Sequence, residues 1–547
     1  MTRPTVSQAE AWQPDSLRRL ADAWDESARR LTAHIDSVKQ EIRRSNEFWA
    51  GATADEARDT ARSITAACDD VARCLVIASV AARDGADQIA AALASVRTLL
   101  AEARDGGYDV SDDAMVSIRA GPPALLVALS GGDPAVARDM LAMRANELSE
   151  LITDALDRLG AADSDAAADI SEAFAPRPIP QAAATVPAGA WPVRASDVVA
   201  GWPAMSQDRI SEQVAAMTTA QRQRLIAEFP QQVGNTDGVP WDMRVAANRV
   251  NIAQAIVDTQ DPGRVALYRS LLGEVDDPTG SGHRVDRQIL AFDPARASLV
   301  ELNGNLSTAK SVAVLVPGLN TTFEGSAANT ATARRFVSAT RGDVATITYL
   351  GGRFPQGRNV ATALVDAANP RYALDMAPRL VAFSEDVDRT VDATGRSVPV
   401  TYVGHSYGGS IVGTAEAFGL TADRTLYVAA AGAGVGVDDP SEWHNRNPDV
   451  LRFSMTAPGD FIEVVQGIPE GPHGADPDEM NGVIHLATGY YDDGRLMMGP
   501  PAHSDILNWP SDAWRNTLAV ISGDCETLHQ SGSNMARMAQ CGHAARP

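Results

Sequence analysis

Pro399-Val-Thr-Tyr-Val-Gly404-His405-Ser406-Tyr407-Gly408-Gly409-Ser-Ile-Val-Gly413 is the stretch around which the chain is arranged. It reads as a buried strand, a tight turn and a helix, with Ser406 at the apex. In that setting G-x-S-x-G is a nucleophile elbow, which lifts a serine hydroxyl out of a sheet. Gly404 and Gly408 suit a reversal in which backbone segments come too close for a Cβ. The following helix aims its first free N–H groups at whatever lies above the serine.

Apolar runs of strand length lie on either side, at 288–292, 298–302, 312–316, 344–349, 400–403, 425–430, 451–455 and 483–486. Helical patterns fall at 327–339, 376–391, 409–418 and 512–521. Apolar strands alternating with helices predict an α/β domain whose eight-stranded, mostly parallel sheet has both faces covered.

A serine hydroxyl needs a base to take its proton, and a histidine base needs a carboxylate to hold its tautomer. Behind an elbow the chain order is serine, acid, histidine. Asp460 ends the strand-and-turn stretch Leu451-Arg-Phe-Ser-Met-Thr-Ala-Pro-Gly-Asp460, 54 residues beyond Ser406. Asp438 and Asp439 are rivals that read as a solvated Asp-Asp-Pro turn, and Glu463 lies past its own turn. His503, in the proline-stiffened Gly499-Pro-Pro-Ala-His503-Ser, is the favoured base. His473, in Gly471-Pro-His473-Gly474, is the alternative, and His529 and His543 also follow the acid. His485 alternates with apolar neighbours like a satisfied core histidine. His405 points away from Ser406 by strand alternation and reads as packing.

An oxyanion needs two N–H donors placed where charge develops. They are assigned to the amides of Tyr407 and of Leu319, the latter in Val316-Pro-Gly-Leu319-Asn320 after the third strand. The connection after the fourth strand runs from Gly351 to Tyr372, longer than usual and at the catalytic edge of the sheet. Phe354 and Tyr372 on it are candidate substrate walls, with Asn320 a further candidate contact. There is no Walker A loop, no H-E-x-x-H and no carboxylate–histidine cluster, so neither metal nor cofactor is implied.

The elbow on the fifth strand, with this strand and helix series, resembles the α/β-hydrolase fold over about residues 285–522. The A-H-S context of His503 is similar to the catalytic histidine of such enzymes, whereas P-G-L stands where H-G-x is common. Upstream, Asn235-Thr-Asp-Gly-Val-Pro240 and the helical run after it resemble a signature found just before the catalytic domain in an actinobacterial α/β-hydrolase family of unknown function. The resemblance implies an esterase- or lipase-like serine hydrolase acting through an acyl-enzyme on an ester, lipid ester or amide. Ser406 would be nucleophile, His503 base and Asp460 orienting acid.

The first 174 residues read as an all-α helical domain. Leu17, Leu20, Trp24, Leu31, Ile35, Val38 and Ile42 form one apolar stripe; Ile64, Cys68, Val71, Leu75, Ile89, Leu93, Val96 and Leu100 belong to a second. Two such stripes predict an antiparallel hairpin with a coiled-coil seam. Phe48-Trp49-Ala50-Gly51 forms its turn, and helix, W-x-G turn, helix resembles the WXG-type hairpins of bacterial type VII secretion. That resemblance implies a helical partner for the hairpin. It also implies an export signal of the form Y-x-x-x-D/E, which Tyr108-Asp-Val-Ser-Asp112 fits. Residues 134–174 read as a further helix, with Met140 and Met143 filling its core. A Pro/Ala-rich linker covers 175–195, a helical lead-in 196–284 and a tail 523–547.

The chain has 547 residues, enough for two or three domains, with 45% apolar and 21% charged residues. A formal charge of −23 argues against nucleic acid and against anionic membrane surfaces as partners. No apolar run reaches the ~20 residues of a membrane span. No Sec signal peptide precedes the first helix. The expected location is the cytoplasm or, by type VII export, outside it. Cys68 and Cys74 lie in a helical pattern; Cys525 and Cys541 are the pair that export would allow to join.

Overall fold

The structure, a computed structural model, describes residues 3–175, 194–357, 360–466, 471–524 and 526–528. Two compact units divide it: Met1–Thr185 with Ala253–Gly273, and Val186–Ile252 with Glu274–Pro547. Residues 253–273, expected within the lead-in, thus group with the N-terminal helices. Ion pairing of Arg269 with Asp25 and a hydrogen bond from Arg73 to Gln254 tie them there.

In the helical unit, α1 (Asp15–Arg44) and α2 (Ala52–Asp105) pack as a hairpin, and α3 (Pro134–Ala173) packs on α2. Ile89, Leu93, Val96 and Leu100 of α2 meet Leu148, Ile152, Leu156 and Leu159 of α3 in one core. Gly85 lets the two helices close up, since a Cβ there would run into Ala166. The expected continuous seam between α1 and α2 is only partly buried: Leu20, Val38, Ile64 and Val71 are all more than 40% exposed. The apolar stripe of α2 is best covered where a third helix contributes. Met140 and Met143 are exposed rather than core residues. Tyr108–Val110 pairs with Val116–Ile118 in a small antiparallel ribbon, and Tyr108 is buried in the unit's core. Asp112 is engaged as well, its carboxylate accepting from the Ser7 N–H at 2.7 Å.

The second unit is built on an eight-stranded sheet. Its strands are β1 (Gln288–Asp293), β2 (Ser298–Asn303), β3 (Ser311–Val316), β4 (Val344–Leu350), β5 (Val400–His405), β6 (Arg424–Val428), β7 (Leu451–Met455) and β8 (Val483–His485). They lie in the order β1-β2-β4-β3-β5-β6-β7-β8. β2 runs antiparallel to both neighbours, and every other pairing is parallel. β3 and β4 are buried along their whole length; β3 is apolar after Ser311, and β4 buries Thr346 and Thr348 among its apolar residues. The crossing order 4-3-5 sets β5, with the elbow at its C-terminal end, in the interior of the sheet.

The asparagine–aspartate turn before α4 (Trp241–Asp258) joins the lead-in to this sheet. Asn235 pairs with β1 through its side chain, accepting from Phe292 N–H at 2.9 Å and donating to Phe292 O at 3.2 Å. Buried Arg244 donates to Leu290 O, Asp237 and Asp386 at 2.9, 2.9 and 2.7 Å. Asp386 also receives the Gly238 N–H and Trp241 Nε1–H, at 2.7 and 2.8 Å. The turn is therefore a polar clamp between β1 and α6 (Arg371–Asp392), the helix that follows α5 (Ser326–Ala339) and β4 along the chain. Among the described residues no helix is long and apolar enough to cross a membrane.

Candidate active site

Ser406 sits between β5 and α7 (Tyr407–Ala417) with φ 55° and ψ −122°, a conformation rare for a residue with a side chain. Such strain costs about 1–3 kcal/mol and persists only where the surroundings enforce it. Here its N–H donates to Val428 O at 3.0 Å, and its carbonyl accepts from Gly409 and Ala431 N–H at 3.0 and 2.9 Å. A Cβ on Gly404 would lie 2.6 Å from Gly408 O and from Gly409 Cα. One on Gly318 would lie 2.6 Å from Ser406 Cβ and 3.0 Å from its Oγ, so the loop after β3 rests directly on the serine.

Asp460 follows β7, and His503 lies in the short helix α8 (Ala502–Asp505). His503 Nδ1 is 3.0 Å from each oxygen of Asp460, and both residues are buried. The Ile462 N–H also donates to Asp460, at 3.0 Å, and Gly499 N–H to Pro458 O, at 2.8 Å, fastens the two loops together. A carboxylate on Nδ1 keeps the proton there and leaves Nε2 free to accept one. His405 Nε2 lies 2.7 Å from His503 O. Because a carbonyl only accepts, that nitrogen carries the proton. Burial, and then the neighbouring His503, push the pKa of His405 down to about 4. Ser406 Oγ has no hydrogen bond among the described residues. Nucleophile–base contacts often tighten only when substrate binds.

Tyr407 opens α7, and its buried hydroxyl donates to Asn369 O at 2.7 Å while accepting from Ala373 N–H at 3.3 Å. Burial pushes that phenol's pKa well up. On the facing loop Asn320 has φ 62°, donates its N–H to Pro355 O at 2.9 Å and accepts the Gly357 N–H on its side chain at 2.8 Å.

Residues 293–469 match a family model described as alpha/beta hydrolase. The chain carries an α/β-hydrolase domain. Two uncharacterized proteins of Mycobacterium tuberculosis, one from each of two strains, are 27% identical over 387 residues, covering 58% of this chain and 56% of theirs. The chain thus spans little more than half the length of the curated relatives it matches. Among solved structures, a protein of Thermus thermophilus has 14% identity and a TM-score of 0.22, over 40% of this chain and 94% of its own. An esterase of Pyrobaculum calidifontis has 13% identity and a TM-score of 0.23, over 54% and 97%.

Within the hydrolase domain the rival residues are occupied elsewhere. His473 has both ring nitrogens engaged, Nδ1 with Ser410 Oγ at 2.9 Å and Nε2 with Ala367 O at 2.6 Å. Asp439 caps the short turn Pro440–Glu442, and Asp438 and Glu463 are exposed. His485 bonds Asp478 at 3.1 Å, which raises its pKa. His529, His543, Cys525 and Cys541 lie outside the described residues. Phe354 is buried, and Tyr372 donates its hydroxyl to Asp366 at 2.7 Å. Asp366, which no motif or spacing marks, also accepts the Gln356 N–H at 2.8 Å. Among the described residues no cluster of three or more His, Cys, Asp or Glu could hold a metal ion.

Proposed function

We propose that the hydrolase domain is a serine hydrolase that cleaves an ester, with lipid esters and amides as the neighbouring substrate classes. The observation that carries this reading is the buried Asp460–His503 pair, its histidine carbonyl bonded by His405, the residue before a serine held at φ 55° on an elbow. Ser406 Oγ attacks the carbonyl carbon as His503 Nε2 takes its proton. Asp460 stabilises the imidazolium, and the amides of Tyr407 and Leu319 hold the oxyanion. His503 returns the proton to the leaving oxygen. A water, deprotonated by the same histidine, then releases the acid.

A fluorophosphonate probe tests the reading on the full chain. Wild type is labelled and the Ser406→Ala variant is not. Labelling that survives the substitution, or a wild type left unlabelled where a known serine esterase reacts, overturns it.

A second reading assigns partner recognition to the helical unit. Phe48 and Trp49 at the hairpin turn, and Ile64 and Val71 beyond it, are exposed apolar residues that a helical partner would cover. Tyr108 counts against a linear export signal, because it is buried in the ribbon. Trp49→Ala would reduce export or partner binding while leaving esterase turnover intact; unchanged export and binding would remove this reading.

A further inference from the structure

Both proposed oxyanion donors, Tyr407 and Leu319, are followed or flanked by side chains that reach the same stretch of chain. From the β3 side, Asn320 N–H donates to Pro355 O, Asn320 Oδ1 accepts the Gly357 N–H, and Gln356 Nε2–H donates to Thr321 O at 2.7 Å. From the elbow side, the Tyr407 hydroxyl bonds Asn369 O and the Ala373 N–H. The two anchor points, around 355–357 and 369–373, are a dozen residues apart in sequence, 357 to 369. Asp366 joins them. One of its oxygens, Oδ2, accepts the Gln356 N–H at 2.8 Å and the Tyr372 hydroxyl at 2.7 Å; the other pairs with Arg371 at 3.2 Å. Tyr372 in turn stacks edge-on against the Tyr407 ring, centroids 6.1 Å apart.

We infer that Asp366 is a positioning residue that sets the spacing of the two oxyanion donors. The inference rests on the serine-hydrolase reading and deepens it. Backbone amides cannot adjust their own position, so whatever fixes Asn320 fixes Leu319, and whatever fixes Tyr407's ring restrains the first turn of α7. A single carboxylate that grips both anchors makes the separation of the donors a property of one side chain. It holds its charge at neutral pH, because the Gln356 N–H and the Tyr372 hydroxyl lower its pKa. Asn320 belongs to the same unit, its left-handed backbone and side chain both spent on the 355–357 anchor rather than on substrate. The design explains why P-G-L-N can stand in the donor loop without a histidine: the restraint comes from across the site.

The test is a kinetic cycle on the full chain with p-nitrophenyl butyrate, each rate divided by the sites titrated with fluorophosphonate. Asp366→Ala and Asn320→Gly, the latter keeping the positive φ, should each lower kcat about 10²-fold with KM little changed, the cost expected of a misplaced donor. Their combination should be no worse than either alone, and Asp366→Asn, which keeps one acceptor, should recover most of the rate. Unchanged kcat per titrated site in Asp366→Ala, or losses that multiply in the double variant, overturn the inference while leaving the serine-hydrolase reading standing. A wild type that neither turns over nor labels sinks both. Should Asp366→Ala fail to fold, amide exchange on Asp366→Ser, whose shorter side chain cannot reach both anchors, replaces it: faster exchange confined to Asn320 and Gly357 supports the coupling, and unaltered exchange overturns it.

Discussion

His405 and His503 lie with ring centroids 5.1 Å apart, and only one of them faces an acid. His405 is neutral in the fold, its pKa taken from 6.5 to about 4 by burial and by its neighbour. Between those values the unfolded chain binds a proton that the folded chain refuses. The group's contribution to stability is therefore complete above about pH 6.5 and is lost as pH falls toward 4, a change on the order of 3 kcal/mol. His405→Gln keeps a donor for His503 O and removes the titration. Urea midpoints should fall more steeply from pH 7 to 4.5 in wild type than in this variant; parallel curves would show that His405 is not the group responsible. Asp460→Asn tests the partner histidine. Its amide would present an N–H to Nδ1 and drive the proton onto Nε2, so kcat should drop on the order of 10⁴-fold with the fold retained. A variant within tenfold of wild type would sink the assignment of Asp460.

At the scale of elements, strands were legible and loops were not, for one physical reason. A strand buried on both faces favours apolar residues at successive positions, so the run at 312–316 marks β3 to within a residue of Ser311–Val316. The elbow was legible because its glycines answer a steric demand that no other residue meets. A loop carries no period that says which way a side chain turns. Asn320, Phe354 and Tyr372 all stand near the site by chain position, yet Phe354 is buried, and the polar atoms of Asn320 and Tyr372 are spent on Gly357 and Asp366. Gly318 is the loop position where sequence and site meet most sharply. Gly318→Ala puts a methyl 2.6 Å from Ser406 Cβ, and the donor loop must retreat. We expect kcat to fall about 10²-fold and stability by about 1–3 kcal/mol. Unaltered turnover would mean that the loop after β3 supplies no donor.

For the whole molecule, the heptad stripes foretold helices but not their covering, since a stripe does not name the helix that will lie on it. Ile64 and Val71 continue the pattern of α2 and stay exposed, while Leu93 and Leu100 meet α3. The turn before α4 was visible only as a resemblance, and its role depends on Asp386, 142 residues beyond Arg244. No local pattern couples positions so distant. Their cluster makes a prediction about the entire hydrolase unit. Arg244 is buried with carboxylates on either side, and burial already pushes Asp237 up to about 6 against the pull of Arg244. Arg244→Ala would leave Asp237 and Asp386 facing each other with only Arg389, 3.3 Å from Asp386, as counter-charge, a loss on the order of 3 kcal/mol. Removing the arginine raises the folded-state pKa of Asp237 further, so the folded variant takes up a proton as pH falls through that value. Its stability deficit should then be largest near pH 8 and shrink toward pH 5.5, the reverse of the trend set by His405. Denaturant titrations of wild type and variant at the two pH values measure the deficit directly. One that is small, or equal at both pH values, would show that this buried charge cluster does not hold the lead-in to the sheet.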